Sequence, residues 1–82
     1  MNQTIDDVTK VVASTLGIED RIHTLNGATP LFGAMPELDS MSVLELISVL
    51  EERFDIKIAD EEITGEVFET IGSLAAFIDR KI

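Results

Sequence analysis

Leu38-Asp39-Ser40-Met41-Ser42-Val43-Leu44-Glu45-Leu46-Ile47-Ser48-Val49-Leu50-Glu51-Glu52-Arg53-Phe54 is the stretch whose reading decides the fold. Val43, Ile47, Leu50 and Phe54, with Leu46 beside them, recur at i, i+4, i+7 and i+11, the signature of one apolar helix face. The spacing predicts a helix starting at Asp39 or Ser40 and running to about Phe54. Met41, Leu44, Glu45, Ser48, Glu51 and Glu52 fall largely on another sector. A solvated face has no use for Met41 and Leu44. Apolar groups mixed with carboxylates suit a docking surface.

Two further helices flank this one. Ile5, Val8, Val12 and Leu16, with the intervening Val11, repeat at helical spacing, while Lys10 lies on the opposite face. Thr4 is placed to cap that helix, Asp7 sits three residues on, and Gly17 suits the position just past its end. Near the C-terminus Thr70 is the expected cap, with Ile71, Leu74, Ala75 and Ile78 inward and Phe77 adjacent. Arg80 and Lys81 there complement the helix dipole.

Between the first two helices lies a connection from Ile18 to Leu38 punctuated by Asn26-Gly27, Thr29-Pro30, Gly33 and Pro36. A loop of this length in a compact domain is usually functional or disordered. Ile22, Leu25, Leu31, Phe32 and Leu38 can pin it to the core, so it reads as ordered. Asp55-Ile56-Lys57-Ile58-Ala59 is too short to be assigned as a strand, and Asp60-Glu61-Glu62-Ile63 can open a short helix or turn with its carboxylates at the favoured end. The expected fold is all-α: a small four-helix bundle of three main helices plus a short third one, with a long ordered loop between helices one and two.

Composition narrows the function. The 82 residues make one small domain, 1–82, which buries roughly three-fifths of its unfolded surface and leaves no room for a deep catalytic cleft. With 16 acidic against 6 basic residues the net charge is −10, the wrong sign for a phosphate-backbone binder or an anionic membrane surface. Basic proteins are the expected partners of a chain that is itself a monomer. Hydrophobic residues reach 45%, the level of a folded domain, and with four Phe, no Trp and no Tyr the core must be aliphatic. The absence of Cys excludes disulfides and any thiol nucleophile of the chain's own. No apolar run approaches a membrane span, and Met1-Asn2-Gln3-Thr4 lacks a basic region leading into an apolar stretch. The expectation is a soluble cytoplasmic protein.

Ser40 is the residue placed for chemistry. With Asp39 as cap, the Asp39 carboxylate takes the free N–H groups of the first turn, and Ser40 sits at the first helical position with its hydroxyl released at the positive end of the dipole. A phosphate attached there is electrostatically favoured. The bland alternative is that Ser40 is itself the cap and does nothing else. His23, the sole histidine, stands in the turn-rich loop, and no Gly-x-Ser-x-Gly elbow surrounds Ser40, so a Ser-His-Asp hydrolase finds no support. Asp60, Glu61 and Glu62 lack the spaced oxygen ligands of an EF-hand loop, so no dedicated metal site is expected.

Leu38-Asp39-Ser40-Met41 followed by an acidic amphipathic helix resembles the attachment motif of acyl carrier proteins. The likeness covers nearly the whole chain: the leading helix, the long loop, Asp39-Ser40 opening helix two, Glu51-Glu52 with Phe54 near its end, and Asp60-Glu61-Glu62 after Ile58. It implies a non-catalytic carrier in which Ser40 holds a 4′-phosphopantetheine arm derived from coenzyme A, with acyl groups riding on the arm's thiol. A chain without Cys needs such an imported thiol to form a thioester. The resemblance further implies contacts with a phosphopantetheinyl transferase, an acyl-activating enzyme, and synthases or acyltransferases bearing basic patches. Asp39, Glu45, Glu51, Glu52 and Asp60 would make them, with Met41, Leu44 and Ser48 on the same face. An acyl chain would shelter between the helices, with Leu46, Ile58, Ile63, Phe68 and Ala75 as lining residues, although ordinary core packing accounts for each of these too.

Departures from the family pattern point away from generic fatty-acid synthesis. Ser42 and Ser48 replace an acid and a larger apolar group, Arg53 and Lys57 add positive charge near Glu51 and Glu52, and Gly65-Glu66-Val67-Phe68 lengthens the link between helices three and four. Pro36–Met41 and Phe68–Leu74 resemble carriers that accompany bacterial exosortase or exopolysaccharide systems. Two rivals stand beside the acyl carrier. One is an aminoacyl or peptidyl carrier, whose second helix is usually less acidic. The other is a non-carrier acidic interaction module in which Ser40 is only a cap.

Overall fold

The computed structural model describes residues 3–31 and 39–82. The expectations placed on Phe32, Gly33, Pro36 and Leu38 lie outside them. Three α-helices carry the architecture: α1 (Gln3–Leu16), α2 (Ser40–Phe54) and α3 (Ile71–Lys81), with 3-10 segments at Glu19–Thr24 and Asp60–Glu62. The short third helix of the bundle is thus a single 3-10 turn, and the described residues form no strand. Part of the long connection read as irregular loop is helical at Glu19–Thr24, with exposed His23 on it.

α1 packs against both other helices. Val8, Val11 and Val12 meet Val43, Leu46, Ile47 and Leu50 of α2 and Ile71, Leu74, Ala75 and Ile78 of α3 in one core that also holds Leu31, Ile58, Phe68 and Phe77. Phe68 and Phe77 are its buried aromatics, and the rest of the core is aliphatic, as the composition requires. α1 ends as its sequence predicts. Gly17 adopts φ +70°, and the Ile18 N–H donates to Ala13 O at 2.9 Å, closing a Schellman motif with Ile18 buried. Its start differs from expectation. The helix already includes Gln3, so Thr4 is not the cap; the Thr4 hydroxyl instead donates to Asp79 Oδ1 of α3 at 2.5 Å.

Gly27, Thr29 and Leu31 of the long connection are hydrogen-bonded to the start of α3 and the residues before it. A helix leaves its first N–H groups without internal partners. In α3 the Ile71 N–H donates to Thr29 O at 3.0 Å and the Gly72 N–H to Gly27 O at 2.8 Å, both acceptors lying in the connection. Ser73 donates its N–H to the Thr70 hydroxyl at 3.0 Å, and the Ser73 hydroxyl accepts from the Thr70 N–H at 3.0 Å, a reciprocal capping box. Leu31 N–H to Glu69 O at 2.9 Å extends the clasp and seats Leu31 in the core. Gly65–Phe68, read as a lengthened link, is a turn that buries Phe68.

The clasp demands glycine at 72. A Cβ there would stand 2.7 Å from Gly27 O, which is already hydrogen-bonded to the Gly72 amide. Replacing a helical glycine by alanine ordinarily gains about 1 kcal/mol. Overpacking against backbone costs about 1–3 kcal/mol, so the clash wins. Gly72→Ala should therefore lower the thermal midpoint by several degrees in a calorimetric scan. Gly65→Ala, with open space around it, should leave the midpoint nearly unchanged. A Gly72→Ala protein as stable as the parent would contradict the clasp.

Candidate functional site

Asp39 and Ser40 form the tip of α2. Asp39 has extended backbone, and its Oδ1 accepts the Ser42 N–H at 2.8 Å, while its carbonyl accepts the Val43 N–H at 2.9 Å, opening the intrahelical ladder. Asp39 is therefore the cap and Ser40 the first helical residue, which decides between the two readings of the Asp-Ser pair. Asp39 and Met41, on either side of Ser40, are exposed. The expected release of the Ser40 hydroxyl falls outside the described side chains. Hydrogen bonds from Ser42, first its backbone N–H and then its side chain, hold the Asp39 carboxyl below its ordinary range. The cap is an anion at neutral pH.

The outward face of α2 follows from helix geometry. At 3.6 residues per turn, Met41, Glu45, Ser48 and Glu52 fall within about 60° of one another, opposite the core-facing Leu50. All four are exposed, as is Leu44. Met41 at 76% and Leu44 at 61% exposure are large apolar side chains left in water, one turn of chain from Ser40. Val49, at the flank, is exposed too, a position that belongs to neither of the two helix sectors read from the spacing. Asp60 is exposed at the start of its 3-10 turn.

Three charged residues have partners that local sequence rules do not foresee. Glu51, assigned to docking, is half-buried, and its Oε2 accepts the Ile58 N–H at 2.8 Å. Its carboxylate serves the chain beyond α2. Arg53, read as a charge beside Glu51 and Glu52, reaches across to Asp7 of α1 at 3.3 Å and lies 5.8 Å from the Phe54 ring centroid. Glu62 accepts both the Ala59 N–H at 2.8 Å and the Lys81 ammonium at 2.6 Å, and these bonds, Lys81 first, hold its carboxyl below the ordinary range. Glu three residues after Ala59 is a signal for the first of these contacts; no signal announces the second.

The lining residues Leu46, Ile58, Phe68 and Ala75 are buried in one core cluster, and Ile63 packs against it. The described cavities lie elsewhere, beside Ile5, Ile22 and Leu25 and beside Ser48, Ile56 and Lys57. Among the described residues no group of His, Asp or Glu is arranged to hold a metal ion, and no helix is long and apolar enough to cross a membrane.

Because its folded-state pKa is depressed, Asp39 contributes stability in full above the ordinary aspartate range. That contribution is lost as pH falls through the folded value. Asp39→Asn keeps a capping acceptor but removes the titration. Acid unfolding followed by circular dichroism should then show a shallower loss of stability below about pH 4 in the variant. Superimposable acid limbs would contradict a charged cap.

A family model described as a phosphopantetheine attachment site matches residues 6–78. No curated sequence matches the chain. Among solved structures, the chain is similar to a holo acyl carrier protein from Nitrosomonas europaea determined by solution NMR, with a TM-score of 0.88 and 42% sequence identity. That match covers 95% of this chain and 94% of the other. With likeness of this extent in sequence and in backbone, and with an Asp-capped Ser40 at the tip of an acidic helix, the chain belongs to the acyl carrier protein family.

Proposed function

We propose that Ser40 is the residue that bears the phosphopantetheine arm, and that the outward face of α2 presents the loaded carrier to its partners. Members of this family are carriers and not catalysts; acyl groups ride as thioesters on 4′-phosphopantetheine. The observation that supports Ser40 is its place at the first position of α2, with the Asp39 carboxylate already engaged by Ser42. A phosphodiester at that place gains from the positive end of the helix dipole. In the installing step the serine oxygen bonds to phosphorus as the bond to adenosine 3′,5′-bisphosphate in coenzyme A breaks. The hydroxyl proton passes to the transferase. Asp39, with its Oδ1 engaged by the Ser42 N–H, acts by positioning the helix tip.

Docking is read from Met41, Leu44, Glu45, Ser48 and Glu52. Apolar contacts supply burial there, and the carboxylates select basic partners and speed encounter. Glu51 supports this face from behind through Ile58, and Asp60 extends the acidic surface beyond α2. The interior around Leu46, Ile58, Ile63, Phe68 and Ala75 is the proposed shelter for the acyl chain, supported by its wholly apolar lining. Residues 1–82 are read as one carrier domain, in keeping with the family match over 6–78. Loading from coenzyme A supports the cytoplasm as its compartment, one that holds that donor. Ser48 amid the docking carboxylates favours partners dedicated to a specialised acyl product over a generic fatty-acid synthase.

Incubation with coenzyme A and a phosphopantetheinyl transferase should raise the intact mass by one arm, and Ser40→Ala should abolish the gain. A gain retained in that variant would refute the assignment. Reversing Glu45 and Glu52 to Lys should slow arm transfer about tenfold at low salt, the difference shrinking as salt is added. An unchanged rate in a folded variant would remove α2 as the recognition face.

A further inference from the structure

Residues 55–59 cross from α2 to the 3-10 turn without helix or strand pairing, yet they carry Ile58 into the core. Their amides are held from both sides by carboxylates. Glu51 of α2 takes the Ile58 N–H, and Glu62 takes the Ala59 N–H, each at 2.8 Å. The strap begins at Asp55, which caps α2 in the left-handed region at φ +54°, a conformation that aspartate tolerates better than most residues, with the Asp55 and Ile56 N–H groups both donating to Glu51 O. Glu62 is in turn gripped by Lys81 at the far end of α3, at 2.6 Å. Lys81 lies 5.6 Å from the Phe77 ring centroid, which steadies it over α3. The grip is partly sheltered, with side-chain exposures of 25% for Lys81 and 31% for Glu62.

We infer that Glu62, clamped by Lys81, is a positioning residue that latches this strap shut over the core and thereby sets how readily the interior admits an acyl chain. Ile58 and Ile63, two of the five lining residues, stand immediately before and after Ala59–Glu62, so the latch governs where both sit. An interior packed as closely as this one must part before a chain enters, and among the described residues the strap lines it without helix or strand bonding of its own. The remaining charged groups of the strap and its turn, Asp55, Lys57, Asp60 and Glu61, are exposed and point the control to Glu62 and Lys81. The inference rests on Ser40 as the attachment point.

The test uses the full chain and its Lys81→Met, Lys81→Arg and Glu62→Ala variants, each loaded with an octanoyl arm. Intact mass reports loading, amide exchange reports the strap, and the rate of thioester hydrolysis reports shelter of the cargo. Lys81→Met and Glu62→Ala should speed exchange at Ile58 and Ala59 by about three- to tenfold while Leu46 and Leu50 in α2 keep their protection. Hydrolysis should slow several-fold in the same variants, because the chain enters more readily, and Lys81→Arg should restore parental behaviour. Exchange accelerated equally throughout the helices would overturn the latch, as a purely structural ion pair. So would local opening with unchanged hydrolysis. Failure to load, seen by mass, would instead overturn the Ser40 assignment and the cargo control that depends on it.

Discussion

The clasp between the long connection and the first turn of α3 is the contact on which the rest of the molecule depends. Two N–H groups of that turn have no partner within their own helix, and the carbonyls of Gly27 and Thr29 supply one each. The bonds fold the connection down onto α3 and press Leu31 into the core. They also explain why a chain of modest size carries so long a connection between α1 and α2. It is the other half of the α3 cap. Gly72 is the residue that lets the two backbones approach this closely, since a Cβ there would stand 2.7 Å from Gly27 O, whereas one at Gly27 would meet nothing nearer than 3.7 Å.

The two helix starts are capped by different means. α3 has its first N–H groups covered by the connection and by Thr70, whereas among the described residues α2 is capped by the side chain of its own Asp39. A charged cap that uses one carboxylate oxygen on Ser42 keeps the helix start rigid without burying it. In the docking role proposed for this face, the acidic surface would act at long range by guiding basic partners in, and the exposed Met41 and Leu44 would act at contact by holding them briefly. A carrier that visits several enzymes needs that combination, since a larger apolar face would bind too long.

The parts of this fold governed by local rules were legible in the residues themselves. Thr70 as a cap, Gly17 in the left-handed position after α1, and a cap at either Asp39 or Ser40 follow from side-chain or backbone preferences within a few residues, and the structure chose Asp39. The inward faces of the helices followed from their 3.6-residue period. Thr4 was misjudged because a threonine before an apolar run has the same local signature whether it caps its helix or reaches another. Its hydroxyl goes to Asp79, at the opposite end of the chain. The 3-10 segment at Glu19–Thr24 was hidden because its apolar residues are too few to show a period.

By itself, then, the order of the residues determined the helices, their inward faces, the acidic charge and the serine at the head of α2, because each rests on interactions spanning about one turn. The tertiary structure alone decided where the polar groups left over by those helices would go. Glu51 turned back to the Ile58 amide, Arg53 reached Asp7 across the bundle, and Glu62 found Lys81. Such partners are distant along the chain and are brought together only when burial of the apolar faces sets the helices side by side. Their pairing is a consequence of packing, and no local pattern encodes it.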